Sequence, residues 1–165
     1  MLVDNRYPQN YFITSAIGVS LTSTLNAFDK ALRNAGLHNY NLVKISSILP
    51  EGAVKSDELH NEVKEGSPLL TAYARIDSAG HEKGVKISTA VGVAQPRDKK
   101  VGVIMEFSTE GSAASAEKSI IQMLKEAMTD RGYGEDGDYE IVVSSQEGVV
   151  TGDNYLSLVS AITIW

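Results

Sequence analysis

Lys44-Ile45-Ser46-Ser47-Ile48-Leu49-Pro50 is the stretch on which the reading of this chain turns. Apolar, mostly β-branched residues flank two serines as they would in a strand, and Pro50 closes the run. A serine pair in that setting has two readings. The hydroxyls bond the local backbone at a strand end, or the pair is a self-cleavage site in which the second hydroxyl attacks the carbonyl in front of it. By strand parity Ser47 falls with Val43, Ile45 and Leu49, and Ser46 with Leu42, Lys44 and Ile48. No histidine is spaced to act as a base for either serine, so no hydrolase triad assembles from the pattern.

Working outward, Tyr11 to Ser20 reads as a strand of β-branched, aromatic and small residues. Leu25, Phe28, Leu32 and Ala35 then recur at helical spacing, with Thr24 as N-cap and Gly36 as C-cap. Asn41 to Leu49 is the strand that carries the serines. Pro50 to Pro68 loses all periodicity and reads as one long loop. Leu69 to Asp77, Val85 to Gln95 and Lys100 to Ser108 form a meander, with turns at Ser78-Ala79-Gly80 and Pro96-Arg97-Asp98. A second helix spans Ala113 to Arg131, and strands near Tyr139 to Ser145 and Tyr155 to Trp165 complete the chain. Two helices with one apolar stripe each and about seven strands predict an α+β fold. The expected form is a layered sandwich of two mostly antiparallel sheets with helices outside, αββα.

Length and composition narrow the function classes. At 165 residues the chain reads as a single domain spanning 1–165 that buries its own core. The absence of cysteine removes thiolate nucleophiles, disulfides and cysteine-ligated zinc. A net charge of -6 argues against a phosphate-coating nucleic-acid binder. No apolar run approaches the roughly 18 residues of a membrane span, and the expected setting is the cytoplasm, away from membranes. His38, His60 and His81 show no ligand spacing, so no metal is expected.

Glu106 is the unusual carboxylate. Val101, Val103, Met105 and Phe107 share one face of its strand, and Gly102 and Ile104 share the other with Glu106. Both faces are largely apolar, which predicts a central strand. A desolvated glutamate holds its proton and serves as a general acid. The alternative puts Glu106 at a strand end with its head group in water. Asp29 lies beside the stripe of the first helix, four residues before Arg33, the spacing of a surface ion pair.

Taken together, several stretches resemble the pyruvoyl-dependent arginine decarboxylases. They are Leu25 to Leu32 with Asn34-Ala35-Gly36, Asn41 to Pro50, Thr71-Ala72-Tyr73, Gln95 to Lys99, and Gly102 to Phe107. These follow in family order from about Tyr11 to the end, although Glu51 stands where relatives often have a second proline. The resemblance implies that Ser47 attacks the Ser46 carbonyl, and that elimination and hydrolysis leave a covalent pyruvoyl group in place of Ser47. The products would be a β fragment, 1–46, and an α fragment, 47–165. That cofactor acts as the electron sink for loss of carbon dioxide.

By the same resemblance Glu106 protonates the substrate α-carbon and Asp29 meets the guanidinium of L-arginine. Asn41 serves self-processing and the active site. A straight strand at roughly 3.3 Å per residue puts Asn41 about 20 Å from Ser47, which points to a contact between subunits. The family's homotrimer, with active sites between subunits, fits that expectation. The implied reaction is decarboxylation of L-arginine to agmatine, with acid resistance and polyamine synthesis both open as purposes. Alternatives are another amino-acid substrate, or an uncleaved relative that binds or scaffolds without catalysis.

Overall fold

Period-two patterning carries most of this chain into strands, and the computed structural model, which describes residues 7–134 and 137–165, sorts them into two sheets. In chain order the elements are β1 (Asn10–Ser20), α1 (Thr24–Asn34), β2 (Asn41–Lys44), β3 (Ile48–Leu49), β4 (Val54–Lys55) and α2 (Leu59–Glu62). They continue as β5 (Pro68–Asp77), β6 (Lys86–Pro96), β7 (Gly102–Glu110), α3 (Ala113–Thr129), β8 (Tyr139–Val149) and β9 (Tyr155–Ile164). One sheet runs β2-β5-β9-β1-β4 and the other β3-β7-β6-β8. The fold is α+β. Pairing is antiparallel throughout except where the short β2 and β4 lie parallel to β5 and β1.

Side-chain alternation divides the core into layers. Ala72, Val91, Val93, Ile104 and Ile162 meet between the sheets. The opposite face of β6 and β7, with Ala90, Ala94 and Val103, packs under Ala116, Ile120 and Leu124 of α3. Those α3 residues recur every four positions, which makes one continuous stripe. Ala31 and Phe28 of α1 likewise cover Ala16, Val159 and Ala161 on the outer face of the five-stranded sheet. Gly18 permits that approach: a Cβ there would stand 2.1 Å from the Ala27 carbonyl oxygen and 2.3 Å from the Ala31 nitrogen.

The structure corrects the expected elements in four places. The run from Asn41 to Leu49 is not one strand. β2 joins the five-stranded sheet beside β5, β3 joins the other beside β7, and the chain crosses between sheets at Ile45-Ser46-Ser47. The N-cap of α1 is Ser23, whose hydroxyl accepts from the Asn26 amide at 3.1 Å, in place of Thr24. The stretch from Pro50 to Pro68 carries β4 and α2, which are too short to show a period.

Fourth, β7 is interior only at its start. β3 covers Gly102 and Val103, and from Met105 onward no described strand lies on that side. The six residues from Met105 to Glu110 therefore present an open edge. Glu106 belongs to that uncovered part.

The polar stretch after β4 is fastened by side chains. Glu62 accepts from Trp165 Nε1 at 2.9 Å and Ser56 Oγ at 3.0 Å, and the Tyr40 hydroxyl donates to the Val63 carbonyl at 3.1 Å. His60 is exposed, and its Nδ1 lies 3.2 Å from the same Tyr40 hydroxyl.

Candidate active site

The crossover between sheets is the point from which the site is built. Ser46 is exposed, Ser47 is half-buried, and Ser47 has φ +68°. For a residue with a Cβ this left-handed conformation is uncommon and costs about 1 kcal/mol. Hydrogen bonds hold the crossover on both sides. The Ile45 amide donates to the Thr71 carbonyl at 3.2 Å, and the Ile104 amide donates to the Ser47 carbonyl at 2.9 Å. The serine pair is thus suspended between β5 of one sheet and β7 of the other.

Glu106 is the second residue beyond Ile104 on β7, about 7 Å along a strand. It faces the layer between the sheets, as Ile104 does, and opposes Val91 of β6. Its side chain is 23% exposed, and its two oxygens differ. Oε1 lies 3.1 Å from Lys44 Nζ. Oε2 is buried with no hydrogen-bond partner among the described residues. Because the open edge of β7 admits water on one side only, the carboxyl spans a boundary, one oxygen at the rim and one inside.

Lys44 ends β2, immediately before the crossover. Besides Glu106, its ammonium approaches the Tyr73 carbonyl at 3.5 Å and lies 5.0 Å from the Tyr73 ring centroid. Tyr73 stacks on Phe28 of α1, with ring centroids 6.4 Å apart, and Arg75 sits over Phe28 at 3.9 Å. Lys44 and Tyr73 are the neighbours of the site that strand pattern did not single out. A cation next to the serine pair was the visible signal; its partner on a distant strand was not.

The other expected residues lie elsewhere in the chain's structure. Asn41 opens β2 at the end away from the crossover, and its Nδ2 donates to the Gly66 carbonyl at 2.8 Å. Asp29 is exposed on α1 and lines an open cleft of about 580 Å³ with Ile17, Val19, Lys30, Arg33 and Asn34. Among the described residues no ion pair joins Asp29 to Arg33. α1 covers the outer face of the five-stranded sheet, whereas Glu106 belongs to the inner face of the other. Within one chain, then, Glu106 and the serine pair come together, and Asp29 and Asn41 do not join them.

Two apolar patches accompany these separate parts. Val43, Ile48 and Leu70 are exposed around the crossover, and Leu21 and Leu25 are exposed by 83% and 71% near Asp29. Among the described residues no cluster of three His, Asp or Glu side chains is placed to hold a metal ion. No described helix is long and apolar enough to cross a membrane.

Comparison of the sequence with known proteins identifies a family. The sequence model of a family described as pyruvoyl-dependent arginine decarboxylase matches residues 10–164. A protein of that name from Thermococcus kodakarensis is 37% identical over 134 residues, 81% of this chain and 82% of its own. One from Methanococcus aeolicus is 37% identical over 142 residues, 86% of this chain and 81% of its own. One from Methanocaldococcus jannaschii is 43% identical over 112 residues, 66% of this chain and 64% of its own.

Proposed function

This chain belongs to the pyruvoyl-dependent arginine decarboxylase family, and from that membership we propose that it converts L-arginine to agmatine and carbon dioxide with a pyruvoyl group made from its own Ser47. The observation that carries the proposal is the placement of Ser46-Ser47 at the sheet crossover, hydrogen-bonded to the strand that holds Glu106.

Self-cleavage needs a nucleophile, an exposed carbonyl and a reason for the bond to break. The Ser47 hydroxyl attacks the Ser46 carbonyl carbon, and the amide becomes an ester. Elimination breaks the ester bond at the Ser47 Cβ, releasing Ser46 as a carboxylate and leaving a dehydroalanine at 47. Water then replaces the nitrogen, which leaves as ammonia, and a ketone remains at the head of the second fragment. The sum is one water consumed and one ammonia released.

The left-handed φ of Ser47 supports this reading. Conversion of the Ser47 α-carbon to a planar ketone removes the stereocentre whose Cβ disfavours that conformation. Strain in the precursor is then relieved in the product. Ser46 and Ser47 would frame the group, and the amide of Ile104 already engages the carbonyl of residue 47.

The pyruvoyl group supplies the electron sink for the departing carboxylate. Glu106 gives a proton to the substrate α-carbon from an oxygen shielded from water. Asp29 receives the planar guanidinium through paired charge-assisted hydrogen bonds. Asn41 acts in processing and in the site.

Asp29 and Asn41 reach the crossover only from another copy, so the working form is a homotrimer of cleaved protomers. The exposed Leu21 and Leu25 beside Asp29, and Val43, Ile48 and Leu70 around the crossover, are the apolar surfaces such an assembly would cover. The setting remains the cytoplasm. Carbon dioxide release from arginine, lysine, ornithine and histidine tests the substrate. Release from arginine is expected. Release from histidine and not from arginine would remove Asp29 from its role.

A further inference from the structure

Resting on Glu106 as the proton donor, we infer that Lys44 is its positioning residue: it ties down Oε1 and so makes the buried Oε2 the oxygen that carries the proton. The two oxygens of a free carboxyl exchange by rotation about a soft torsion. A donor whose proton lies on either oxygen is poised for transfer only part of the time. Here the exchange is broken by an ion pair at 3.1 Å on one oxygen, while the other is enclosed with no partner among the described residues.

Lys44 is itself anchored. Its backbone is in register with Thr71 of β5, and its ammonium has the Tyr73 carbonyl and ring beneath it. The contact therefore joins the two sheets beside the crossover. After cleavage it would also join the two fragments, since Lys44 precedes the broken bond and Glu106 follows it.

Glu106 meets no other charge in ion-pair range among the described residues. On its own face Ile104 is apolar, and β6 opposes it with Val91. Tyr73, from β5, is the titratable side chain that adjoins Lys44. The ammonium's attraction for Oε1 is what holds the carboxyl in this orientation. Lys44 is 59% exposed, and the effect weakens with salt.

The test compares Lys44→Met and Lys44→Arg with the parent enzyme, each first shown by fragment mass to have cleaved. Lys44→Met should lower kcat about tenfold with little change in KM, and Lys44→Arg should recover most of it. A kcat unchanged in Lys44→Met, or not recovered in Lys44→Arg, overturns the inference. Full turnover in Glu106→Gln overturns the proton-donor reading, whatever Lys44→Met shows, and so separates its failure from that of the inference.

Discussion

The Ser47 carbonyl accepts a hydrogen bond from the Ile104 amide at 2.9 Å, which fixes the serine crossover to β7 two residues ahead of Glu106. This one bond sets the nucleophile's backbone and the carboxyl on a common strand-to-strand scale. It also separates two properties of Ser47, its hydroxyl and its backbone conformation, which different substitutions report.

Ser47→Ala removes the hydroxyl but keeps a Cβ at φ +68°. Ser47→Gly removes both. Neither chain should cleave, and urea denaturation should find the Gly variant more stable than the Ala variant by about 1 kcal/mol. Equal stabilities would mean that residue 47 carries no strain worth relieving.

Glu106→Gln keeps the shape of the side chain and loses the transferable proton. The variant should cleave and bind arginine, while kcat falls about a hundredfold or more, the usual effect of losing a general acid. Mass analysis and single-turnover assays separate the two steps. Full turnover in the Gln variant would remove Glu106 as proton donor.

Asp29→Asn probes recognition at an exposed helix position. Denaturation midpoints should match those of the parent, while kcat/KM for arginine falls by the equivalent of about 2 kcal/mol, the scale of a charge-assisted hydrogen bond. An unchanged kcat/KM would place the guanidinium elsewhere.

Gly18→Ala tests the packing that places Asp29. The added methyl would collide with backbone atoms of α1, at Ala27 and Ala31, and neither can rotate away. Denaturation should show a loss of about 2–3 kcal/mol, as overpacked cores do. A loss near zero would mean that α1 shifts freely on β1.

Acid sensitivity has a defined source at the start of α3. Glu147 accepts from the Ala113 amide at 2.7 Å and pairs with Lys86 at 2.9 Å. The Lys86 contact first, and then the Ala113 hydrogen bond, hold its carboxyl below the usual glutamate range. A folded-state value lowered in this way gives stability that is present above the unfolded glutamate value and lost as pH falls through the folded one. Denaturation of Glu147→Gln as a function of pH should lack that part of the acid decline.

The sequence made the long elements legible because their periodicity is set by which face is buried. α3 shows its stripe, and β9 alternates between the α1 layer and the layer between sheets. The crossover at Ser46-Ser47 was hidden for a physical reason. Alternation continues across it, since residues on both sides face apolar layers, but the layers belong to different sheets. β4 and α2 escaped notice because two and four residues are too few for a period.

For the site, Glu106 stood out as a carboxylate among apolar neighbours, and family resemblance gave it a role. The Lys44 contact was invisible, because an ion pair between sheets leaves no spacing in the chain. The expectation of a central β7 failed because burial of a strand depends on how far its neighbour extends, and β3 begins only at Ile48, opposite Val103.

The most direct test of the central claim is the intact mass of the purified, unmodified chain after prolonged incubation at neutral pH. Two fragments are predicted, one ending at the Ser46 carboxylate and one beginning at residue 47 without an amino terminus, with one water gained and one ammonia lost between them. A single full-length species with Ser47 intact would contradict the account.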